Sequence, residues 1–243
     1  FLQCIHSSGN PYSSDIQFYN ISSITLNTTF LNTTLNTKLK IFWITYCNIN
    51  MTVTFILDFE TTGLNVFHDD IIEYAILETK SKSFQSEVIK LQKKRKVSDF
   101  ITKLTSITTE MTENGVDMEK AIENLVGFIN SHSKKGENIV MISHNGDAFD
   151  FPILRRLLKE NNMVLERKVK YLDTLRFAQV LLPRLFRYNQ ANLCKVFKIV
   201  NESEHRALGD IQALEKIYTA LSKIHSKSKI DTLKQIDFIY NKI

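Results

Sequence analysis

Charge is almost missing from the first fifth of this 243-residue chain: Asp15, Lys38 and Lys40 are the only charged side chains before Met51. Residues 1–50 are rich in Asn, Thr, Ser and Ile and show neither a helical nor an alternating apolar pattern. They contain no basic stretch followed by an apolar core and a small-residue cleavage site, so they do not read as a secretory leader. The Asn-x-Ser/Thr sequons at Asn20, Asn27 and Asn32 are then a by-product of the Asn/Thr bias rather than glycosylation sites. The apolar run Ile41–Tyr46 is far too short to span a bilayer. The expectation is that residues 1–50 are a disordered extension, or sequence upstream of a native start at Met51.

Cysteine is scarce as well. Of Cys4, Cys47 and Cys194, only Cys194 follows Met51, which excludes an internal disulfide or a cysteine-zinc cluster there. A reducing compartment, cytoplasm or nucleus, fits that usage. No Pro/Gly-rich linker and no internal repeat interrupts the chain after Met51, so residues 51–225 read as one domain and 226–243 as a polar tail that forms one more helix. The net charge of +5 is mild. It permits a polyanionic partner without requiring one, and the densest basic run, KLQKKRK from Lys90 to Lys96, reads as a solvated loop.

What is present has a clear rhythm. Thr52–Leu57, Ile71–Leu77 and Ser83–Leu91 read as an opening meander of strands. A helix follows with Asp117 as its N-cap and Ala121, Ile122, Leu125, Phe128 and Ile129 on one stripe. Then come a strand at 138–142, a helix at 148–161, a strand at 169–172, and helices at 174–182, 192–197 and 207–224. Strands first, then alternating helix and strand, give an α/β fold with a mixed sheet and helices on its faces.

Three segments place carboxylates where an apolar pattern expects none. In "ILDFETTGLN", Asp58 and Glu60 are two apart on a strand and so share a face, where like charges raise each other's proton affinity unless a cation intervenes. In "SHNGDAFDFP", a helix beginning at Ala148 makes Asp147 the N-cap and puts Asp150 in line with Ile153, Leu154 and Leu157. Asp147 then has a structural explanation and Asp150 has none. In "EHRALGDIQAL", Asp210 shares a stripe with Leu214, Ile217 and Leu221, and His205 stands just before that helix. Four inward carboxylates from distant segments need cations to coexist, and oxygen-rich sites suit Mg²⁺ or Mn²⁺. Two such ions form a clamp for phosphodiester hydrolysis, with a histidine as the natural general base.

Together, D-x-E at 58/60, H-N-x-x-x-F-D ending at 150 and H-x4-D at 205/210 resemble the DEDDh 3′→5′ exonucleases of the ribonuclease-H-like superfamily, over roughly Val53 to Leu221. "HNGDAFDFPIL" looks most like the three-prime repair exonucleases, although Ala148 stands where that group often has a basic residue. The resemblance implies a mixed central sheet flanked by helices on both faces. It implies that Asp58, Glu60, Asp150 and Asp210 bind two divalent ions and that His205 is the base. It implies that Glu60 and Thr61 hold the terminal 3′-hydroxyl and that Leu64 wedges against the last base. Phe149, with Leu104 or Ile107, would line the pocket, and His144 and Asn145 would shape the active-site loop. The implied substrate is a nucleic-acid 3′ end, single-stranded DNA first, cut to nucleoside 5′-monophosphates. A second copy of the chain or a polymerase is the implied protein partner. The alternatives are a polymerase proofreading exonuclease, an RNA-trimming exonuclease, and a non-catalytic nucleic-acid-binding module.

Overall fold

A computed structural model describes residues 2–3, 19–20, 52–91, 95–201 and 203–227. The chain divides into two units, Phe1–Asn50 and Met51–Ile243. In the first, Leu2–Gln3 pairs antiparallel with Tyr19–Asn20; the disorder expected of the rest of 1–50 falls outside the described residues, as does the helix expected in the tail beyond Lys227.

The second unit is built on β1 (Thr52–Thr61), a run dominated by β-branched and aromatic residues. β2 (Ile71–Glu78) and β3 (Phe84–Val88) extend the sheet antiparallel on one side. β4 (Asn138–Ser143) and β5 (Val169–Asp173) extend it in parallel on the other, giving the order β3-β2-β1-β4-β5. The helices are α1 (Asp99–Thr105), α2 (Thr109–Glu113), α3 (Met118–His132), α4 (Asp150–Glu160), α5 (Thr174–Leu181), α6 (Gln190–Phe197) and α7 (Ala207–Lys227). No described helix is long and apolar enough to cross a membrane.

The two-residue period of β1 sorts its side chains between two cores. Val53, Phe55, Leu57 and Phe59 pack with α3 and α4 on one face. Ile56 packs on the other with α5, α6 and the Ile211–Leu214–Ile217–Leu221 stripe of α7. Helices therefore cover both faces of the mixed sheet. Asp58 and Glu60, in step with Ile56, point toward the layer that contains α7.

Three local expectations change. Helices α1 and α2, capped by the Ser98 and Thr108 side chains, were not foreseen, because each is too short to show a period. Asp117 stands at the N-cap of α3 without a capping side-chain hydrogen bond; its carboxylate lies 3.7 Å from Lys90 Nζ instead. The basic run is partly pinned, since Arg95 pairs with Asp70, while Gln92–Lys94 lie outside the described residues.

Candidate active site

The carboxyl ends of the parallel strands β1, β4 and β5 converge, as ligand sites do in open α/β sheets. At the end of β1, Asp58 and Glu60 each offer an oxygen that lies within 4.8 Å of the other and of one from Asp210, on the first turn of α7. Among the described residues this is the one group of acids, cysteines and histidines spaced to hold a metal ion. Asp150 enters from the opposite layer. It begins α4, is buried, and its Oδ1 accepts the Phe59 N–H at 3.1 Å, which fixes it across β1 beside Asp58.

Asp210 is aimed by three donors. Gln190 and Asn201 amides donate to Oδ1 at 3.0 and 2.8 Å, and the His205 N–H donates to Oδ2 at 3.0 Å. His205 has φ 62°, a left-handed turn that exposes its ring while its backbone serves Asp210.

With like charges this close, the proton affinities rise. Removal from water, then the charges of Asp150, Glu60, Asp210 and Glu73, hold the Asp58 carboxyl well above its usual range. Glu60 is pushed up to about 8 by burial first, then by Asp210, Glu73 and Asp150, with Arg206 opposing. Burial also drives Asp150 to about 8 against the Phe59 N–H. A set of all-oxygen donors that resists ionising without a cation fits a hard divalent ion. The same values fix a pH dependence. Glu60 moves from an ordinary 4.5 and Asp150 from 3.8, so below those values native and unfolded chains are equally protonated. As pH rises toward 8 the unfolded chain has released protons that the native site still holds, and stability is lost. The melting temperature of the metal-free protein is therefore expected to fall between about pH 5 and 8, with millimolar Mg²⁺ or Mn²⁺ restoring more of it at the upper end. A melting temperature that stays flat or rises over that range would contradict the arrangement.

The histidine-aspartate segment resolves differently from its sequence reading. Asp147 is not the N-cap: α4 starts at Asp150, preceded by Phe149, which offers no capping side chain. Asp150 is thus the first helical residue rather than the third. The reason is Asp173, a buried acid that accepts the N–H groups of Asn145, Asp147 and Leu175 and so winds residues 145–149 into a separate turn. Asn145 takes φ 58°, and Gly146 is required because a Cβ there would sit 2.7 Å from the Phe151 ring and from Ser143 Cβ. Half-buried Asp147 pairs with the half-exposed Arg176. His144 lies beneath, its Nδ1 3.0 Å from Thr174 Oγ1. Burial lowers it to about 4, opposed by the Tyr188 backbone, so it is neutral and a poor base near pH 7.

Of the expected substrate contacts, Leu64 stands 88% exposed on the loop after β1, free to meet a ligand. Thr61 is buried and donates its hydroxyl to the Gly63 carbonyl. Phe149 is half-buried against the first core, and Leu104 is partly exposed. Ile107 is corrected: it is fully buried with Ile72, Val97 and Ile101, so it lines a core and not a pocket. Sequence reasoning missed Glu73, Asp173, Gln190, Asn201 and Arg206. The one available signal was Glu73, an acid inside the otherwise apolar IIEYAIL.

The sequence matches the exonuclease family (RNase_T) over residues 55–218. The PolC-type DNA polymerase III of Mycoplasma genitalium is 32% identical over 192 residues, 77% of this chain and 12% of the polymerase. That of Thermotoga petrophila is 30% identical over 183 residues, 75% and 13% respectively. The chain therefore spans about an eighth of the curated relatives it matches. The structure of E. coli Exonuclease I in complex with a dT13 oligonucleotide shares 16% identity at a TM-score of 0.59, covering 77% of this chain and 43% of that one. The nuclease domain of 3′hExo, a DEDDh family member, bound to rAMP, shares 13% identity at 0.58, covering 72% and 92%. At such identities the two structures establish the fold.

Proposed function

Since the chain belongs to the exonuclease family, with its acids gathered at one end of the sheet, we propose that it is a DEDDh-type 3′→5′ exonuclease acting on DNA 3′ ends. The observation that carries this is the convergence of Asp58, Glu60 and Asp210 oxygens within 4.8 Å, with Asp150 locked beside them. In this reading the four carboxylates hold two Mg²⁺ or Mn²⁺ ions. When bound, those ions would supply charge neutralisation at the scissile phosphate and a more acidic attacking water.

The chain's own residues do the rest. His205, exposed beside Asp210, takes the proton of the water as its oxygen bonds to phosphorus. The bond from phosphorus to the 3′-oxygen of the penultimate nucleotide breaks. A nucleoside 5′-monophosphate leaves and the strand keeps a new 3′-hydroxyl. Glu60 and Thr61 hold the terminal 3′-hydroxyl, and exposed Leu64 and half-buried Phe149 flank the last base. His144 and Asn145 shape the loop from behind, as their ties to Thr174 and Asp173 support.

A single-stranded DNA oligonucleotide labelled at its 5′ end tests the reading with Mg²⁺ or Mn²⁺. Stepwise shortening with the label retained, and 5′-monophosphates as the product, is expected. Early release of the label as a mononucleotide would reverse the polarity, and an intact strand would exclude the activity. RNA and duplex DNA run alongside read the sugar and strand preference. A second reading, proofreading within or beside a polymerase, is favoured by the PolC-type relatives, in which the matched part is a small fraction of a DNA polymerase. It expects faster excision of a mismatched than of a matched primer terminus.

A further inference from the structure

Glu73 lies directly opposite Glu60 in the β1–β2 register, only 2% exposed, yet it is not available as another metal ligand. Both of its oxygens are taken. The Arg206 Nη2 donates to Oε1 at 2.6 Å, Arg206 Nε donates to Oε2 at 3.1 Å, and the Ala207 N–H donates to Oε2 at 2.9 Å. Ala207 is the first residue of α7, so this strand carboxylate satisfies an N–H that a helix start otherwise leaves without a partner.

The segment so held is the one that carries Asp210 and His205. Arg206 N–H donates to Ser203 O, Asp210 N–H donates to Arg206 O, and His205 N–H closes on the Asp210 carboxylate. Gly209 allows the tight return, since a Cβ there would come 2.4 Å from the Ser203 carbonyl oxygen. Residues 203–210 thus form one compact turn, tied through Glu73 to the same sheet that carries Asp58 and Glu60.

We propose that Glu73 and Arg206 are positioning residues: their two-point ion pair registers the first turn of α7 on β2, setting the spacing of Asp210 and His205 from Asp58 and Glu60. The part concerning His205 rests on the exonuclease reading, whereas the part concerning the carboxylate spacing rests on the geometry alone. An ion pair between a buried carboxylate and a half-exposed guanidinium is a weak source of stability, because desolvation of the carboxylate offsets the attraction. Its directional value is larger: a planar guanidinium fixes both distance and angle, and a lysine at the same place offers only a point charge.

Arg206→Lys in the full chain separates geometry from charge, since the net charge beside the site is unchanged. Mn²⁺ affinity, read by calorimetry, is expected to fall roughly tenfold or more. kcat on single-stranded DNA is expected to fall roughly ten- to a hundredfold while KM stays within about twofold. The double variant Glu73→Gln/Arg206→Leu removes both charges and is expected to melt near or above the wild type while Mn²⁺ affinity and kcat stay low. Wild-type Mn²⁺ affinity in both folded variants would overturn the proposal. So would a rise in KM at unchanged kcat, which would make Arg206 a phosphate contact instead. If the wild type itself releases no mononucleotides, the exonuclease reading falls, and the Mn²⁺ titration still decides whether the clamp sets the carboxylates.

Discussion

Asp58→Asn and Asp210→Asn are each expected to lower mononucleotide release by roughly a thousandfold or more, because each removes one arm of a charge-stabilising site worth several kcal/mol in the transition state. The two variants should differ in stability. Burial and the charges of Asp150, Glu60, Asp210 and Glu73 all raise the proton affinity of Asp58, so an amide there relieves repulsion, and the metal-free protein should melt higher than the wild type at pH 8. Asp210 accepts from Gln190, Asn201 and His205, and an amide at that position turns N–H groups toward at least one of these donors. Asp210→Asn should therefore gain little or lose stability. Asp147→Asn, half-buried and paired with Arg176 rather than grouped with the other acids, should retain most activity. Normal turnover by a folded Asp58→Asn or Asp210→Asn variant would sink the metal reading.

His205 carries the second large effect. Its replacement is expected to cost roughly a hundred- to ten-thousandfold in kcat and to remove the acidic limb that a histidine base imposes on the pH–rate profile. The choice of replacement matters, because the backbone at φ 62° disfavours alanine and tolerates asparagine better. His205→Asn should thus melt higher than His205→Ala while both lose turnover, separating the ring's chemistry from the backbone's support of Asp210. An unchanged pH–rate profile in either variant would remove His205 as the base. His144 offers no substitute, since burial holds it neutral against Thr174.

The parts of this site readable in the sequence are those whose meaning is local. Alternation in VTFILDFE places Asp58 and Glu60 on one face, and helical spacing places Asp210 on the buried stripe of α7, because both patterns repeat within a few residues. The mixed sheet with helices on its faces followed from strands preceding alternating helix and strand, whereas the strand order did not. What escaped depends on partners far away. Glu73 reads as an odd acid in a strand until Arg206, 133 residues on, supplies its fork. Asp173 looks like an ordinary helix cap, and it is one for Leu175, but the same carboxylate also winds the loop at Asn145 and Asp147. That second role moved the start of α4 to Asp150 and displaced Asp147 from the cap. Helices α1 and α2 were missed because five or seven residues cannot show a 3.6-residue period.

In the proposed reading, four carboxylates from β1, α4 and α7 form a cation site for phosphodiester hydrolysis. Crystals soaked with Mn²⁺ and thymidine 5′-monophosphate test it by anomalous scattering. Two peaks about 3.5–4 Å apart, bounded by Asp58, Glu60, Asp150 and Asp210 with the phosphate between them, are expected. Mn²⁺ bound elsewhere, with these four side chains left without an ion at saturating concentration, would contradict it.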